Sequence, residues 1–225
     1  MAEQKQDLKA ELEKIAKAPV KIIGISGSLR KASFNTGLLR YLKDQKLEGI
    51  EFEIVSIADL PLFNQDLENP KDESQDPKAV QELRAKVRAA DAIFFSSPEY
   101  NYGISSPLKN ALDWVSRGAN GSAIKGKCAT IVGGGGGSGT TRGQVAFRQT
   151  AVFLDLRLLN KPEVLIKAFE KEESGAPPVD FTNGDLKSDK WKKRLVSQIE
   201  ALRDLAKKRQ FGDIAFKLLC ATQEK

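Results

Sequence analysis

Short apolar runs alternate with helical periods along almost the whole chain, and this alternation constrains the fold more than any other feature. Residues 20–26, 91–97, 127–132 and 164–169 are dense in β-branched, aromatic and small apolar side chains. Such runs are expected of strands buried on both faces. Residues 51–57 alternate in polarity and read as a further strand. Between them, about 34–44, 77–90, 107–114 and 141–154 carry apolar residues at helical spacing, and another helical segment follows residue 187. Parallel neighbours need a crossover of a dozen or more residues, which a helix provides. The βα repeat therefore predicts one parallel sheet with helices on both faces.

Five strands suit an α/β fold of the flavodoxin-like kind, a three-layer α/β/α sandwich around a five-stranded parallel sheet of order 2-1-3-4-5. Ligands of such sheets sit outside the carboxyl ends of the strands, at the switch point between strands 1 and 3. Three loops leave those ends: 27–35, 98–106 and 133–142. With 225 residues, one domain over 19–210 is expected, with an N-terminal extension over 1–18 and a C-terminal extension over 211–225. In the first extension Leu8, Leu12 and Ile15 follow a weak helical period that Pro19 stops. Residues 58–77 form a long polar connection.

Composition narrows the chemistry. The chain has no histidine, which excludes Ser-His-Asp and Cys-His catalysis and the common zinc sites. No metal site is expected. Cys128 and Cys220 are too few for a disulfide framework and read as unpaired thiols, Cys128 within a buried strand. Hard chemistry, if present, is then expected on a cofactor. No apolar stretch approaches the ~20 residues of a membrane helix, and residues 1–18 lack the apolar core of a signal peptide. A cytoplasmic protein without a membrane partner is the expectation. The net charge of +6 is concentrated between Lys187 and Arg209, where nine basic residues face three acidic ones. Leu195, Ile199, Leu202 and Ala206 fall on one helical face there, so the charge reads as the solvated side of an amphipathic helix. No nucleic-acid partner is expected, because no reading motif accompanies it.

The first loop holds Gly27, Ser28, Arg30 and Ser33, with Phe34, Asn35 and Thr36 opening the next helix. A helix N-terminus presents unpaired N–H groups and partial positive charge, which suits an anion. Neither GxGxxG nor GxxxxGK[ST] is present here. A hydroxyl-rich loop suits a terminal monophosphate. The competing reading is an ordinary turn in which Ser33 or Asn35 is an N-cap.

The stretch Gly27-Ser28-Leu29-Arg30-Lys31-Ala32-Ser33-Phe34-Asn35 resembles the signature of the NADPH-dependent FMN reductase family. Ser97-Pro98-Glu99-Tyr100-Asn101-Tyr102, running on through Pro107-Leu108-Lys109-Asn110-Ala111-Leu112-Asp113-Trp114, is a stronger match. Arg142-Gly143-Gln144, Arg148-Gln149, Val152-Phe153-Leu154-Asp155 and Asn160-Lys161-Pro162-Glu163 follow in the family's order. The resemblance covers about residues 20–170.

The resemblance implies FMN as cofactor and NADPH or NADH as hydride donor. Ser28, Arg30, Ser33, Phe34, Asn35 and Thr36 would bind its phosphate. Pro98, Glu99, Tyr100, Asn101 and Tyr102 would wrap the flavin ring, with Glu99 either contacting ligand or capping a local turn. Gly133, Gly134, Gly135 and Gly136 would let backbone approach the ring's pyrimidine edge; a flexible loop is the competing reading of that run. Arg142 and Tyr102 would face the nicotinamide nucleotide or substrate. No side chain is expected to be catalytic, since the chemistry would lie on FMN N5. The implied function is an NAD(P)H:quinone oxidoreductase working by ping-pong two-electron transfer to a small quinone, as a homodimer or homotetramer. Azo-dye, chromate or FMN reduction at the same site is the alternative. A flavodoxin-type carrier is a further one, against which the basic charge argues, since such carriers are acidic.

Overall fold

The computed structural model describes residues 2–223, and side chains over residues 10–216. A parallel sheet runs in the order β2 (Ile50–Val55), β1 (Val20–Ser26), β3 (Ala92–Ser96), β6 (Cys128–Gly135) and β7 (Arg157–Leu158), with β8 (Leu165–Lys167) also paired to β6. β4 (Glu99–Tyr100) and β5 (Gly103–Ile104) form a separate antiparallel hairpin. The helices are α1 (Ala2–Lys17), α2 (Phe34–Asp44), α3 (Lys78–Ala89), α4 (Ser106–Val115), α5 (Thr141–Phe153) and α6 (Asp189–Gln223). The expected flavodoxin-like order is present once β6 is counted as the fourth strand.

Alternate strand residues feed two cores. Ile22 and Phe94 join α2 and α6 residues on one face, including Leu38, Leu42, Leu195, Ile199 and Leu202. Ile23, Ile25, Ile93 and Phe95 point the other way, onto Leu83 and Val87 of α3, Leu108 and Leu112 of α4, and Phe147 of α5. The period of two along a strand produces both layers. The four apolar residues singled out in the basic segment are all buried, so its charge does lie on the solvated side of a helix. Burial also raises the pKa of the Cys128 thiol, favouring its neutral form. Cys220 and the Leu8 side chain lie outside the described side chains.

One expectation is extended and one changes. The fifth strand, expected over 164–169, is present as β8, which pairs with Gly133, Gly134 and Gly135, and a further short strand ahead of it, β7, pairs with Cys128 and Ala129. Between the two lies Asn160-Lys161-Pro162, and a proline has no N–H for a ladder. The glycine run, expected wholly in a loop, begins inside β6. Gly133 N–H donates to Val164 O (3.3 Å), and Gly135 O accepts from Ala168 N–H (2.9 Å). A β-carbon on Gly133 would overlap the Ser97 carbonyl oxygen. Close packing at the strand's end therefore explains part of the run, and only Gly136 and Gly137 stand in open space.

The connection over 58–77 is ordered by buried charge. Arg84 of α3 is fully buried, ion-paired with Asp76 and with Glu68 (2.8 Å), and its Nε donates to Trp114 O (3.0 Å). Arg88 grips Glu73 with two hydrogen bonds of 2.7 Å. No helix among the described residues is long and apolar enough to cross a membrane.

Candidate functional site

The three expected loops converge at the carboxyl ends of β1, β3 and β6. Gly27 stands where they meet: its N–H donates to Ser96 O (2.8 Å), and its carbonyl accepts from the Ser105 hydroxyl (2.6 Å). A β-carbon there would lie 2.6 Å from Ser105 Oγ and 2.9 Å from Ser97 Oγ.

In the first loop Ser33 is the N-cap of α2, its hydroxyl accepting from Thr36 N–H at 3.3 Å. The cap and the anion site are compatible, since the hydroxyl keeps its own proton to donate. The amides of Phe34 and Asn35 make no hydrogen bond among the described residues. The Thr36 hydroxyl is shared with Ser26 Oγ at 2.8 Å, and Ser28 N–H donates to Ser26 Oγ at 3.2 Å. Arg30 is exposed. Asn35 is tied into the sheet. Its side chain is buried, and its amide bonds both polar groups of Gly134, donating to O at 3.1 Å and accepting from N–H at 2.9 Å. The carboxamide continues the sheet's bonding on the side where β3 has ended, and the backbone amide of Asn35 stays without a partner among the described residues. At Gly134 the N–H and carbonyl are both engaged by that carboxamide, and a β-carbon there would meet the Phe34 ring at 2.9 Å. The Phe34 ring is likewise buried, edge-on to Phe169 and Phe181.

The second loop is a tight hairpin with Asn101 and Tyr102 at its tip. Both have left-handed backbone, φ +50° and +64°. A turn with two successive positive φ values matches the twist of antiparallel strands, but tyrosine is a costly occupant. Pro98 is buried at the entry, whereas Tyr100 and Tyr102 are 54% and 66% exposed. The Arg142 guanidinium lies over the Tyr102 ring, 4.1 Å from its centroid, and bonds Ser138 Oγ at 3.3 Å. Glu99 accepts from Gly143 N–H at 2.8 Å in the first turn of α5. Glu99 thus caps the helix, as suits a carboxylate at a helix N-terminus, and it also lines the cleft described next.

Glu99, Asn101, Tyr102, Gly136, Ser138, Gly139 and Arg142 line a cleft of about 580 Å³. That is within the roughly 300–1,000 Å³ typical of small-molecule sites. A slightly larger hollow of about 630 Å³ lies by β8, lined by Lys167, Glu170, Glu173, Lys190 and Trp191 among others. It flanks the glycine run on its β8 side, where Leu165 and Lys167 pair with Gly133 and Gly135. Two glycines outside the motifs, Gly37 and Gly184, also bear on the first loop, since a β-carbon on Gly184 would lie 2.6 Å from the Ser33 carbonyl. A glycine in a helix interior is the sequence signal that marks Gly37.

A parallel sheet of order 2-1-3-6-7, a free helix N-terminus after β1 and a cleft between the loops that follow β3 and β6 define a flavodoxin-like α/β protein. The model of the NADPH-dependent FMN reductase family matches residues 20–171, and the chain belongs to that family. It is 44% identical over 191 residues to a probable NADPH:quinone oxidoreductase 1 of Oryza sativa, covering 84% of this chain and 92% of that one. It is 40% identical over 185 residues to an NAD(P)H-dependent FMN reductase of Pseudomonas aeruginosa, covering 82% and 94%. Among solved structures, the flavoenzyme NAD(P)H:(acceptor) oxidoreductase of Paracoccus denitrificans superposes with a TM-score of 0.70 at 27% identity, over 84% of this chain and 98% of that one.

Proposed function

We propose that the chain is an FMN-dependent NAD(P)H:quinone oxidoreductase. The observation that carries this reading is the pair of free amides, Phe34 and Asn35, at the start of α2, beside the exposed tyrosine hairpin at the switch point. The names of the rice and Pseudomonas relatives point to the same class.

The residues present fit flavin mononucleotide. The two amides, the Ser28 and Ser33 hydroxyls and Arg30 offer backbone, neutral and charged donors to a phosphate dianion. Tyr100 and Tyr102 offer flat apolar surface with polar edges. At Gly136 even a β-carbon would meet nothing within 4 Å, which leaves backbone free to approach a planar ring. The chemistry supplied by bound FMN is hydride acceptance from NAD(P)H and two-electron release to a quinone in a second half-reaction. The protein's part is orientation and exclusion. The hairpin forms one wall of the cleft, Glu99 ties that wall to α5, and Arg142 holds Tyr102 while keeping donors for a nucleotide phosphate. With Glu99 engaged by a backbone amide, no side chain in the cleft is assigned a proton-transfer role.

Self-association belongs to the same reading. Val145, Val152 and Phe153 on α5 and at its end are 54%, 81% and 84% exposed, an apolar surface that a second copy would cover. Sedimentation should then give a dimer or tetramer.

The deciding experiment is an absorbance spectrum of the purified protein, followed by NADPH and then benzoquinone. A yellow protein bleached by NADPH and restored by the quinone is expected. A colourless protein that takes up no FMN on reconstitution overturns the reading.

A further inference from the structure

The loop proposed to hold the phosphate is braced by a distant segment that none of the family motifs contains. Gly184 has φ +80°, and a β-carbon on it would lie 2.6 Å from the carbonyl carbon and oxygen of Ser33 and 2.9 Å from Phe34 N. Gly37 faces it from α2, where a β-carbon would overlap the Gly184 carbonyl oxygen. Glycine is the poorest helix former after proline, so its place in α2 answers a close approach of two backbones.

The turn that carries Gly184 is closed by its own hydrogen bonds. Asp180 N–H donates to Asp185 O (2.8 Å), Gly184 N–H donates to Asp180 O (2.7 Å), and Thr182 N–H donates to Asp180 Oδ1 (2.9 Å). Arg40 of α2 then pins it, donating to Asn183 O at 2.7 Å and to Asp185 Oδ1 at 3.1 Å. Phe181 meets the Phe34 ring edge-on, with centroids 6.2 Å apart.

We infer that the 180–185 turn is a positioning element for the phosphate subsite. It presses on the peptide joining Ser33 to Phe34 and so fixes the direction of the free amides that follow. An anion site made of backbone has few side chains that can adjust, and its geometry is set by what packs against it. Donors held in place before the ligand arrives avoid an ordering cost on binding. This inference rests on the assignment of residues 28–36 to the FMN phosphate.

FMN and riboflavin differ only in that phosphate, which separates the two claims. Wild type, Gly184→Ala and Arg40→Ala are freed of flavin and titrated with each compound by fluorescence quenching. Wild type should prefer FMN. Gly184→Ala should lose about tenfold in FMN affinity and leave riboflavin affinity unchanged. Arg40→Ala, at a half-exposed pair, should shift the same ratio less, and Arg40→Lys should restore part of it. A wild type indifferent to the phosphate overturns the phosphate assignment itself. A wild-type preference that survives in Gly184→Ala, or an equal loss for both flavins, overturns the positioning role. Should Gly184→Ala fail to fold, an unchanged FMN-to-riboflavin ratio in Arg40→Ala overturns it equally.

Discussion

Asn35 illustrates how one side chain can finish a sheet. β3 stops at Ser96, and the next peptide of β6 finds its partner in a carboxamide 99 positions away in the sequence. Asn35→Leu keeps the volume and leaves the Gly134 N–H and carbonyl buried without partners, which should cost about 1–3 kcal/mol in urea unfolding. A variant as stable as wild type would show that water replaces the amide. Tyr102 presents the opposite case, a residue held against its backbone preference. Left-handed backbone costs a non-glycine residue roughly 1–2 kcal/mol, and the contact with Arg142 returns part of that. We expect Tyr102→Gly to equal or exceed wild type in stability while raising KM for the quinone. A clear loss of stability would mean that the tyrosine serves packing instead.

At the scale of elements, charge orders the segment that hydropathy left unassigned. The polar stretch over 58–77 holds two short 3-10 turns, at Gln65–Leu67 and Glu73–Gln75. These are fastened to α3 by Arg84 and Arg88, and to α4 through Asn110 and Trp114, whose side-chain nitrogens both donate to Pro61 O at 2.9 Å. Removing Arg84 would strand the Asp76 carboxylate in a site with no exposure. Breaking a buried pair by deleting one partner costs about 3–5 kcal/mol. Arg84→Met should therefore be among the most destabilising single changes, read from the denaturation midpoint. Arg84→Met combined with Asp76→Leu should recover part of the loss, since the fully buried charge is gone while Glu68, 10% exposed, still loses its partner. If the double variant is no better, the damage is packing rather than charge. None of this was legible beforehand: an arginine in an amphipathic helix reads as solvated until the loop that covers it is in place.

For the whole molecule, paired carboxylates set the acid limit. Hydrogen bonds from Arg88 hold the Glu73 carboxyl below the usual carboxylate range, with Asn120 N–H adding to the effect and partial burial opposing it. A carboxyl that binds its proton less readily when folded contributes stability above its unfolded pKa. That contribution is lost as pH falls through the lower, folded pKa. The stability gap between wild type and Glu73→Gln should thus be widest near neutrality and shrink on acidification, as followed by urea midpoints at descending pH. A gap independent of pH would sink the assignment. The molecule's positive charge is likewise localised, since α6 buries Leu195, Ile199, Leu202 and Ala206 and leaves Lys190, Lys193, Arg194 and Lys208 exposed.

The layers, the strand order and the three loops at the carboxyl ends of β1, β3 and β6 were determined by the sequence itself. Hydrophobic period is a local property, and right-handed crossovers leave few ways to arrange a βα repeat. The helix start after β1 was legible to the same depth, because a helix start after a strand is also local. What only the tertiary structure decided are the pairings between distant segments: Asn35 with Gly134, Glu99 with Gly143, Arg84 with Asp76, Gly37 against Gly184. The glycine run shows why. Five successive glycines read as a loop by propensity, yet the first three are strand, because the Ser97 backbone, the Phe34 ring and the Gly139 carbonyl lie where their β-carbons would be. Such contacts have no period along the chain. They exist only once the layers have stacked, and it is the stacking that turns a permissive glycine into a required one.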